Sequence, residues 1–383
     1  MDGMAGTSSK LTWAVHISAV LLVALWLFPT VGLLVSSFRT ADQISSSGWW
    51  ASVFSSEQRT VIRTVDPDDF RIEENSAFAV TGDLFAADEE KEVIAWGTSS
   101  REVEAYAPGD LVDLGDGESI TVDSEGTYSW KGNEEQLSGR GKRVFATVVS
   151  PPDFTTDNYE RVLFSGDSTD GMAKTFFNTL TVTIPATIIP IVIAAFAAYA
   201  LAWMQFPGRA ILIASVVGLL VVPLQLALIP LLQFHNNIGI GKGYLGTWMA
   251  HTGFGLPLAV YLLRNYMVGL PRDIIENAKV DGATDFQIFT KIIIPLSFPA
   301  MASFAIFQFL WTWNDLLVAR VFLIDATGET TVMTNQIVEL LGTRGGNWEI
   351  LATAAFVSIA VPLIVFFTMQ RYLVRGLLAG SVK

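Results

Sequence analysis

Residues 11–35 contain no formally charged residue, and a helix of that length crosses a ~30 Å hydrocarbon core with some tilt. Comparable apolar runs follow at about residues 178–204, 210–234, 244–267, 296–324 and 350–374. Lipid offers no hydrogen bonds, so a spanning segment must satisfy its own backbone, and long apolar runs predict helices. The expected fold class is an all-α polytopic membrane protein with six transmembrane helices. A hydrophobic content of 51 % and a mean hydropathy of +0.44 are too apolar for an ordinary soluble domain. A signal peptide needs a shorter apolar core and a small-residue cleavage site. The first run instead continues into Ser36-Ser37-Phe38-Arg39, so it is read as an uncleaved span.

The formal charge of −13 is concentrated between the first two spans. Residues 51–150 hold 21 Asp or Glu against 9 Lys or Arg, whereas the rest of the chain is nearly neutral. Such a region disfavours nucleic acid and anionic lipid as its partners. Its short apolar runs, among them 78–81, 92–96, 119–122 and 143–149, are separated by Gly82-Asp83, Pro108-Gly109, Asp116-Gly117 and Glu125-Gly126. This pattern predicts a small all-β domain, either a sandwich or an incomplete barrel. The acids Asp110, Asp113, Asp116 and Glu118 invite a calcium reading, but Val112 occupies a ligand position of the EF-hand template, which favours tight surface turns.

Residues 271–295 form a charged island between two bilayer-length runs and must lie at a surface. Pro271 suits a first helical position, Asp281-Gly282 a helix stop, and Thr284 with Gln287 a capping box. Two short helices with a turn between them are expected. Ile274, Ile275 and Ala278 give the first an apolar strip, and Phe286, Phe289 and Ile293 do so on the second. A partner protein is the natural cover for such a surface.

This loop resembles that of the membrane subunits of binding-protein-dependent ABC importers. Glu276-Asn277-Ala278, Gly282, Ile292 and Ile294-Pro295 match the family's spacing, with Asn277 and Ile294 departing from its usual Ala and Leu. The resemblance covers roughly residues 11–50 and 151–383. It includes Ala198-Tyr199-Ala200-Leu201-Ala202, Phe206-Pro207-Gly208, Asn237-Ile238-Gly239, Trp313-Asn314-Asp315 and a tail similar to that of the smaller maltose-type permease. The extended first external loop is similar to the α-glucoside branch. What the resemblance implies is an import subunit for maltose-, sucrose- or trehalose-like sugars, with the type I importer fold. Glu276, Ala278, Asp281, Gly282, Ala283, Phe286 and Pro295 would couple it to an ATPase, and Ala379, Gly380 and Lys383 would touch that ATPase. Implied partners are a second, unlike permease, two ATPase subunits or domains, an extracytoplasmic sugar-binding protein and membrane lipid. ATP and Mg would belong to the ATPase.

The domain reading is therefore a cytoplasmic start and first span over 1–50, the acidic insert over 51–150, and five further spans with the 271–295 loop over 151–383. Lys10, Arg209, Arg264, Arg272, Lys279, Lys291, Arg371, Arg375 and Lys383 place both termini and that loop in the cytoplasm by the positive-inside rule. The insert is then outside a bacterial inner membrane.

No catalytic group or phosphate loop is assembled by the sequence. Gly239-Ile240-Gly241-Lys242-Gly243 lacks the upstream glycine and the following Ser or Thr of a Walker motif. The chain has no cysteine, and His16, His235 and His251 have no metal-ligand spacing. Along the spans, Asn314 and Asp315 beside Trp311 and Trp313 offer hydrogen bonds and aromatic faces suited to a sugar path, as does Gln225 between Pro223 and Pro230. The competing readings are a helix-to-helix lock or a place near the outer interface for Asn314 and Asp315, interfacial anchoring for the tryptophans, and an ordinary kinked span at Gln225. An ion-driven secondary transporter is the alternative function.

Overall fold

The computed structural model describes residues 10–74, 77–85, 90–164, 172–324, 326–343 and 346–378. The chain separates into two compact units, Met1–Asn158 and Tyr159–Lys383, so the first helix groups with the acidic region rather than with the later helices.

In the first unit, α1 (Lys10–Ser36) is followed by α2 (Ala41–Ser46) and a 3-10 turn at Trp49–Ala51. Between α1 and the strands Arg39 is 2 % exposed. It donates to the Gln43 carbonyl at 2.5 Å, the Ser47 carbonyl at 3.0 Å and Ser47 Oγ at 2.6 Å, so a cation closes the carbonyl end of α2. The rest of the unit comprises β1 (Ser56–Arg63), a single turn α3 (Pro67–Phe70), β2 (Ile72–Glu74), β3 (Ala77–Asp83), β4 (Glu92–Gly97), β5 (Leu111–Gly115), β6 (Glu118–Val122), β7 (Thr127–Gly132) and β8 (Arg143–Ser150).

These strands form two antiparallel sheets, β1-β8-β4 and β2-β3-β7-β6-β5. Val93, Trp96, Val144 and Val148 from one sheet pack with Val80, Ile120, Tyr128 and Trp130 from the other in a single core, which makes the region a sandwich. Gly82-Asp83, expected as a turn, lies inside β3 opposite Tyr128 and Thr127. The acids read as turn formers do hold turns. Asp110 Oδ2 accepts from the Ala107 amide at 2.9 Å and Asp113 Oδ1 from the Gly115 amide at 2.9 Å. Glu118 Oε1 instead accepts from Trp130 Nε1 at 2.7 Å and pairs with Lys142.

α4 (Asp157–Phe164) carries the chain into the second unit, which contains α5 (Ala173–Trp203), α6 (Arg209–Leu219), α7 (Leu224–Asn237), α8 (Tyr244–Val268), α9 (Arg272–Val280), α10 (Asp285–Ile288), α11 (Ile294–Trp313), α12 (Leu317–Phe322), α13 (Met333–Thr343) and α14 (Trp348–Leu378). Among the described residues of the chain, four helices are long and apolar enough to cross a membrane, and a fifth if α6 and α7 count as one span. Of the six expected spans, four or five are therefore evident by length and composition among the described residues. The expected run at 210–234 is broken before Pro223 and bent by 112°. α8 has 25 residues, ample length, but Thr247, His251, Thr252, Arg264 and Asn265 dilute its apolar character.

Prolines organise the packing of the long helices. A proline inside a helix removes the N–H that would satisfy the carbonyl four residues earlier. Pro185 and Pro190 in α5 thereby free the carbonyls of Thr181 and Ala186, and Pro362 in α14 frees that of Ser358. A side chain from another helix donates to each of the three. Trp248 Nε1 on α8 reaches Thr181 at 2.9 Å, Gln308 Nε2 on α11 reaches Ala186 at 3.2 Å, and Trp313 Nε1 on α11 reaches Ser358 at 2.9 Å. Gln308 Nε2 also lies 3.3 Å from the His251 carbonyl, joining α5, α8 and α11 at one atom. Gly255 makes room for it, since a Cβ there would stand 2.5 Å from Gln308 Oε1.

Candidate functional site

The 271–295 loop begins with α9, whose N-cap is Pro271, one position earlier than expected. α9 ends in a Schellman motif. The Gly282 amide donates to the Lys279 carbonyl at 3.0 Å and the Ala283 amide to the Ala278 carbonyl at 2.9 Å, with Gly282 at φ +85°. Thr284 and Gln287 form the expected capping box at the start of α10.

The second helix is not a separate short one. From α10 the chain passes through a π turn at Phe289–Ile293 and continues as α11, one continuous 29-residue helix over Asp285–Trp313. Pro295 explains the π turn, because its ring cannot sit above a regular i−4 carbonyl and its missing N–H ends the α ladder. The Ile294 amide donates to Phe289, five residues back.

The apolar residues of the loop divide into two sets. Ile275, Ile288, Phe289 and Ile293 are buried in the chain's own core with Ala198 and Tyr199 of α5 and Leu263 and Met267 of α8. Phe289 packs against Phe196 and Tyr199 at ring-centroid distances of 4.6 and 5.2 Å. Ile275, Phe289 and Ile293, expected to need an outside cover, are thus already covered, and Ala278 is half-buried against the same core. Ile274, Val280 and Phe286 remain uncovered, at 39, 86 and 65 % exposure. Glu276, Asp281, Gly282 and Pro295 are exposed as well, and Ala283 is half-buried. Tyr199 Oη lies 3.5 Å from Asp285 Oδ1, and Lys279 Nζ lies 3.6 Å from the same oxygen, tying α9, α10 and α5 together. The loop is an apolar and acidic outer face on a base clamped to three long helices.

The residues expected along the spans do not converge. Trp313 is 1 % exposed, stacked on Phe309 at 5.7 Å and edge-on to Phe176 at 5.8 Å, which places it in the packed core. Asn314 caps α11 through Nδ2 to the Leu310 carbonyl at 2.9 Å. Asp315 Oδ2 accepts from the Ala319 amide at 3.1 Å at the start of α12, its carbonyl accepts from Thr334 Oγ1 at 2.8 Å, and His251 Nε2 stands 3.8 Å away. Asn314 thus closes the end of its own helix, whereas Asp315 ties α12 to Thr334 and lies beside His251 of α8.

Trp311 differs. It is 42 % exposed and lines a cavity of about 410 Å³ with Leu220, Leu224, Gly253, Phe254 and Pro257, at the bend between α6 and α7. Gln225 is exposed in the first turn of α7, beside that bend. Ala379, Gly380 and Lys383 lie outside the described residues.

Residues 163–378 match the model of a family described as the binding-protein-dependent transport system inner membrane component. The chain belongs to that family. It is 58 % identical to an α-glucoside transport system permease protein of Rhizobium meliloti (strain 1021) over 380 residues, 98 % of this chain and 98 % of the relative. An osmoprotective compounds uptake permease protein of Synechocystis sp. (strain ATCC 27184 / PCC 6803 / Kazusa) is 54 % identical, covering 65 % of this chain and 82 % of the relative. A trehalose transport system permease protein of Mycobacterium tuberculosis (strain CDC 1551 / Oshkosh) is 34 % identical, covering 63 % of this chain and 85 % of the relative.

The chain is a permease subunit of an ABC importer, an inner membrane component with several membrane-spanning helices. Within this permease, Val280, the most exposed apolar residue of the loop, and Gln308 and Trp248, two of the donors to proline-freed carbonyls, are not among the residues expected from the sequence. Val280 was detectable as an apolar residue directly before the helix stop. The donors carry no comparable local signal, because what they serve is a proline on another helix.

Proposed function

We propose that this permease imports α-glucosides or related oligosaccharides as one of two unlike membrane subunits, coupled through its 271–295 loop to a separate ATPase that holds ATP and Mg. The observation that carries the coupling reading is the outer face of Ile274, Val280 and Phe286, set on a base wedged against α5, α8 and α11. A partner seated there can move three long helices at once. The near full-length likeness to an α-glucoside permease supports the sugar class.

In this reading α1, α5, the bent α6–α7 pair, α8, α11 and α14 make six passes, both termini and the coupling loop are cytoplasmic, and the 51–150 insert is extracytoplasmic. An external binding protein delivers the sugar, and ATP binding to the partner shifts the population between inward-open and outward-open states. An ion-driven transporter finds no support in the family, and Asp315, the acid that suggested it, serves as a helix cap.

A mild detergent pull-down on a tagged chain tests the assembly. Recovery of a second permease and a Walker-motif ATPase is expected, and recovery of this chain alone, stable and monodisperse, would contradict it. The cavity at the bend is tested by comparing two tryptophans. Trp313→Ala should lower the unfolding temperature sharply, because large-to-small changes in a packed core cost roughly 3–5 kcal/mol. Trp311→Ala should leave stability nearly unchanged and cut ATP-driven uptake about tenfold, since stacking on a sugar is lost at a wall that contributes little packing. Unchanged uptake in Trp311→Ala removes that residue from the path.

A further inference from the structure

Near its Ser36 end, α1 is met by a segment that folds back onto it. Trp49 lies against Phe28 with ring centroids 4.5 Å apart, and Trp50 stands 6.4 Å from the same ring. Gly32 makes the seat, since a Cβ there would stand 2.7 Å from Trp49 Nε1. Buried Arg39 turns the chain, holding the carbonyl and the hydroxyl of Ser47 just before Gly48. Asn158 Nδ2 fixes the end of α1, donating to the Ser37 and Arg39 carbonyls at 3.1 and 2.9 Å. The Ala51, Ser52 and Phe54 amides donate to the Gly48, Trp49 and Ala51 carbonyls at 3.0, 3.2 and 3.0 Å. The segment is thus a wound turn that satisfies much of its own backbone, as a place poor in water requires.

What this turn presents outward is apolar. Trp50, Val53 and Phe54 are 67, 64 and 69 % exposed. Residues 43–56 contain no charged side chain, although they lead into the acidic region, and charge resumes at Glu57 and Arg59 of β1. Depth along α1 indicates what meets that surface. Trp13 is 61 % exposed near the opposite end of α1, and from Trp13 to Gly32 a helix rises about 28 Å, close to a ~30 Å hydrocarbon core. That spacing suits Trp13 at one boundary and Trp49 with Trp50 at the other, where an indole keeps its ring in the acyl edge and its N–H toward the headgroups.

We propose that residues 48–54 are an interfacial anchor whose partner is bilayer lipid. Trp50, Val53 and Phe54 enter the boundary between headgroups and acyl chains, on the leaflet at the Ser36 end of α1. Their surface continues the exposed apolar surface of α1, so lipid around the helix reaches the turn without a break. Binding here is by apolar area and needs no anionic headgroup, in keeping with the missing charge. The anchor seats the start of β1, and hence the sandwich, at a fixed height on the membrane. The inference rests on α1 being one of the six proposed passes and is independent of the sugar carried.

The chain has no cysteine, so single cysteines in the full-length protein take nitroxide labels without background. Val53→Cys and Phe54→Cys are compared with Val20→Cys in the middle of α1 and Leu111→Cys on β5, 66 and 72 % exposed. Each variant is placed in nanodiscs of phosphatidylcholine and phosphatidylglycerol, and the accessibility of the label to oxygen and to a water-soluble nickel chelate is measured. Val20→Cys should read hydrocarbon and Leu111→Cys water. Val53→Cys and Phe54→Cys should give oxygen-to-nickel ratios between the two and severalfold above that of Leu111→Cys. Trp50→Asp should lower the ratio at Val53→Cys toward the water value. Ratios at both positions equal to that of Leu111→Cys, with Val20→Cys still in hydrocarbon, overturn the anchor and keep the span. Val20→Cys in water discards the span and the anchor with it. Labels at 53 and 54 that become immobile and closed to both reagents when the second permease binds would give this face to that subunit and overturn the lipid assignment.

Discussion

Gly282→Pro should abolish ATP-driven uptake, with at least a tenfold loss, while the chain still inserts and folds. Gly282 holds φ +85°, and proline is confined near −65°. The substitution also deletes the amide that donates to the Lys279 carbonyl at 3.0 Å, so the Schellman turn that sets the direction between α9 and α10 is lost. A side chain itself meets no obstruction, because nothing lies within 4 Å of a Cβ at this position. The damage is therefore one of geometry at an exposed surface. Gly282→Ala should fall between, since an L-residue in the left-handed region costs about 1–2 kcal/mol. Proteoliposome uptake alongside the unfolding temperature provides the measurement. Normal uptake in Gly282→Pro would remove the loop from the coupling path.

Gln308→Leu should destabilise the folded permease by roughly 2–4 kcal/mol, measured as a lower unfolding temperature in detergent. Inter-helix hydrogen bonds in membranes average about 0.6 kcal/mol and reach about 1.7. Here one side chain makes two of them, and its loss strands the Ala186 carbonyl, a further 1–3 kcal/mol in order of magnitude. Gly255→Ala should act in the same direction by displacing Gln308 from its seat, as the new Cβ would lie 2.5 Å from Oε1. The decisive comparison is Gln308→Leu combined with Pro190→Ala. Restoring an N–H at position 190 lets α5 satisfy Ala186 from within, so the double variant should recover part of the stability lost in the single one. If the two effects simply add, the proline is not the reason for the glutamine.

The sequence made the loop legible because its signals are local. A capping box, a helix stop and a proline at fixed spacings depend on neighbouring residues alone, and each appears in the structure at or within one residue of its expected place. Burial of the loop was less legible. Ile274 and Ile275 are adjacent and equally apolar, yet one is 39 % exposed and the other 5 %, because only the second faces the α5 and α8 core. Helical geometry separates Trp311 from Trp313 in the same manner, since two residues on a helix differ by about 200° in direction. Treating the two as one aromatic pair merged a cavity wall with a core residue.

In the acidic region, alternating strands and glycine turns were readable, but sheet order was not. β1 pairs with β8 across almost the whole insert, a long-range choice that no local pattern encodes. The bend at Leu220–Pro223 was marked by its proline, but its angle of 112° follows from packing. The helix-to-helix donors were invisible for the reason that each requires knowing which spans are neighbours.

The continuous Asp285–Trp313 helix behaves as a connecting rod. At 1.5 Å per residue its 29 residues measure about 44 Å, the thickness of a bilayer with its headgroups. One end carries the exposed Phe286, and the other ends at Trp313, fastened to the Ser358 carbonyl of α14. In the proposed coupling, a push received at Phe286 would be carried along this helix to Trp313 and, through its bond to the Ser358 carbonyl, to the body of α14. The π turn at Phe289–Ile293 is the compliant joint in that rod, the place where a proline has already loosened the hydrogen-bond ladder. In that proposed coupling, force would enter just before the joint and travel through it, so stiffness there would set how much of the stroke is delivered.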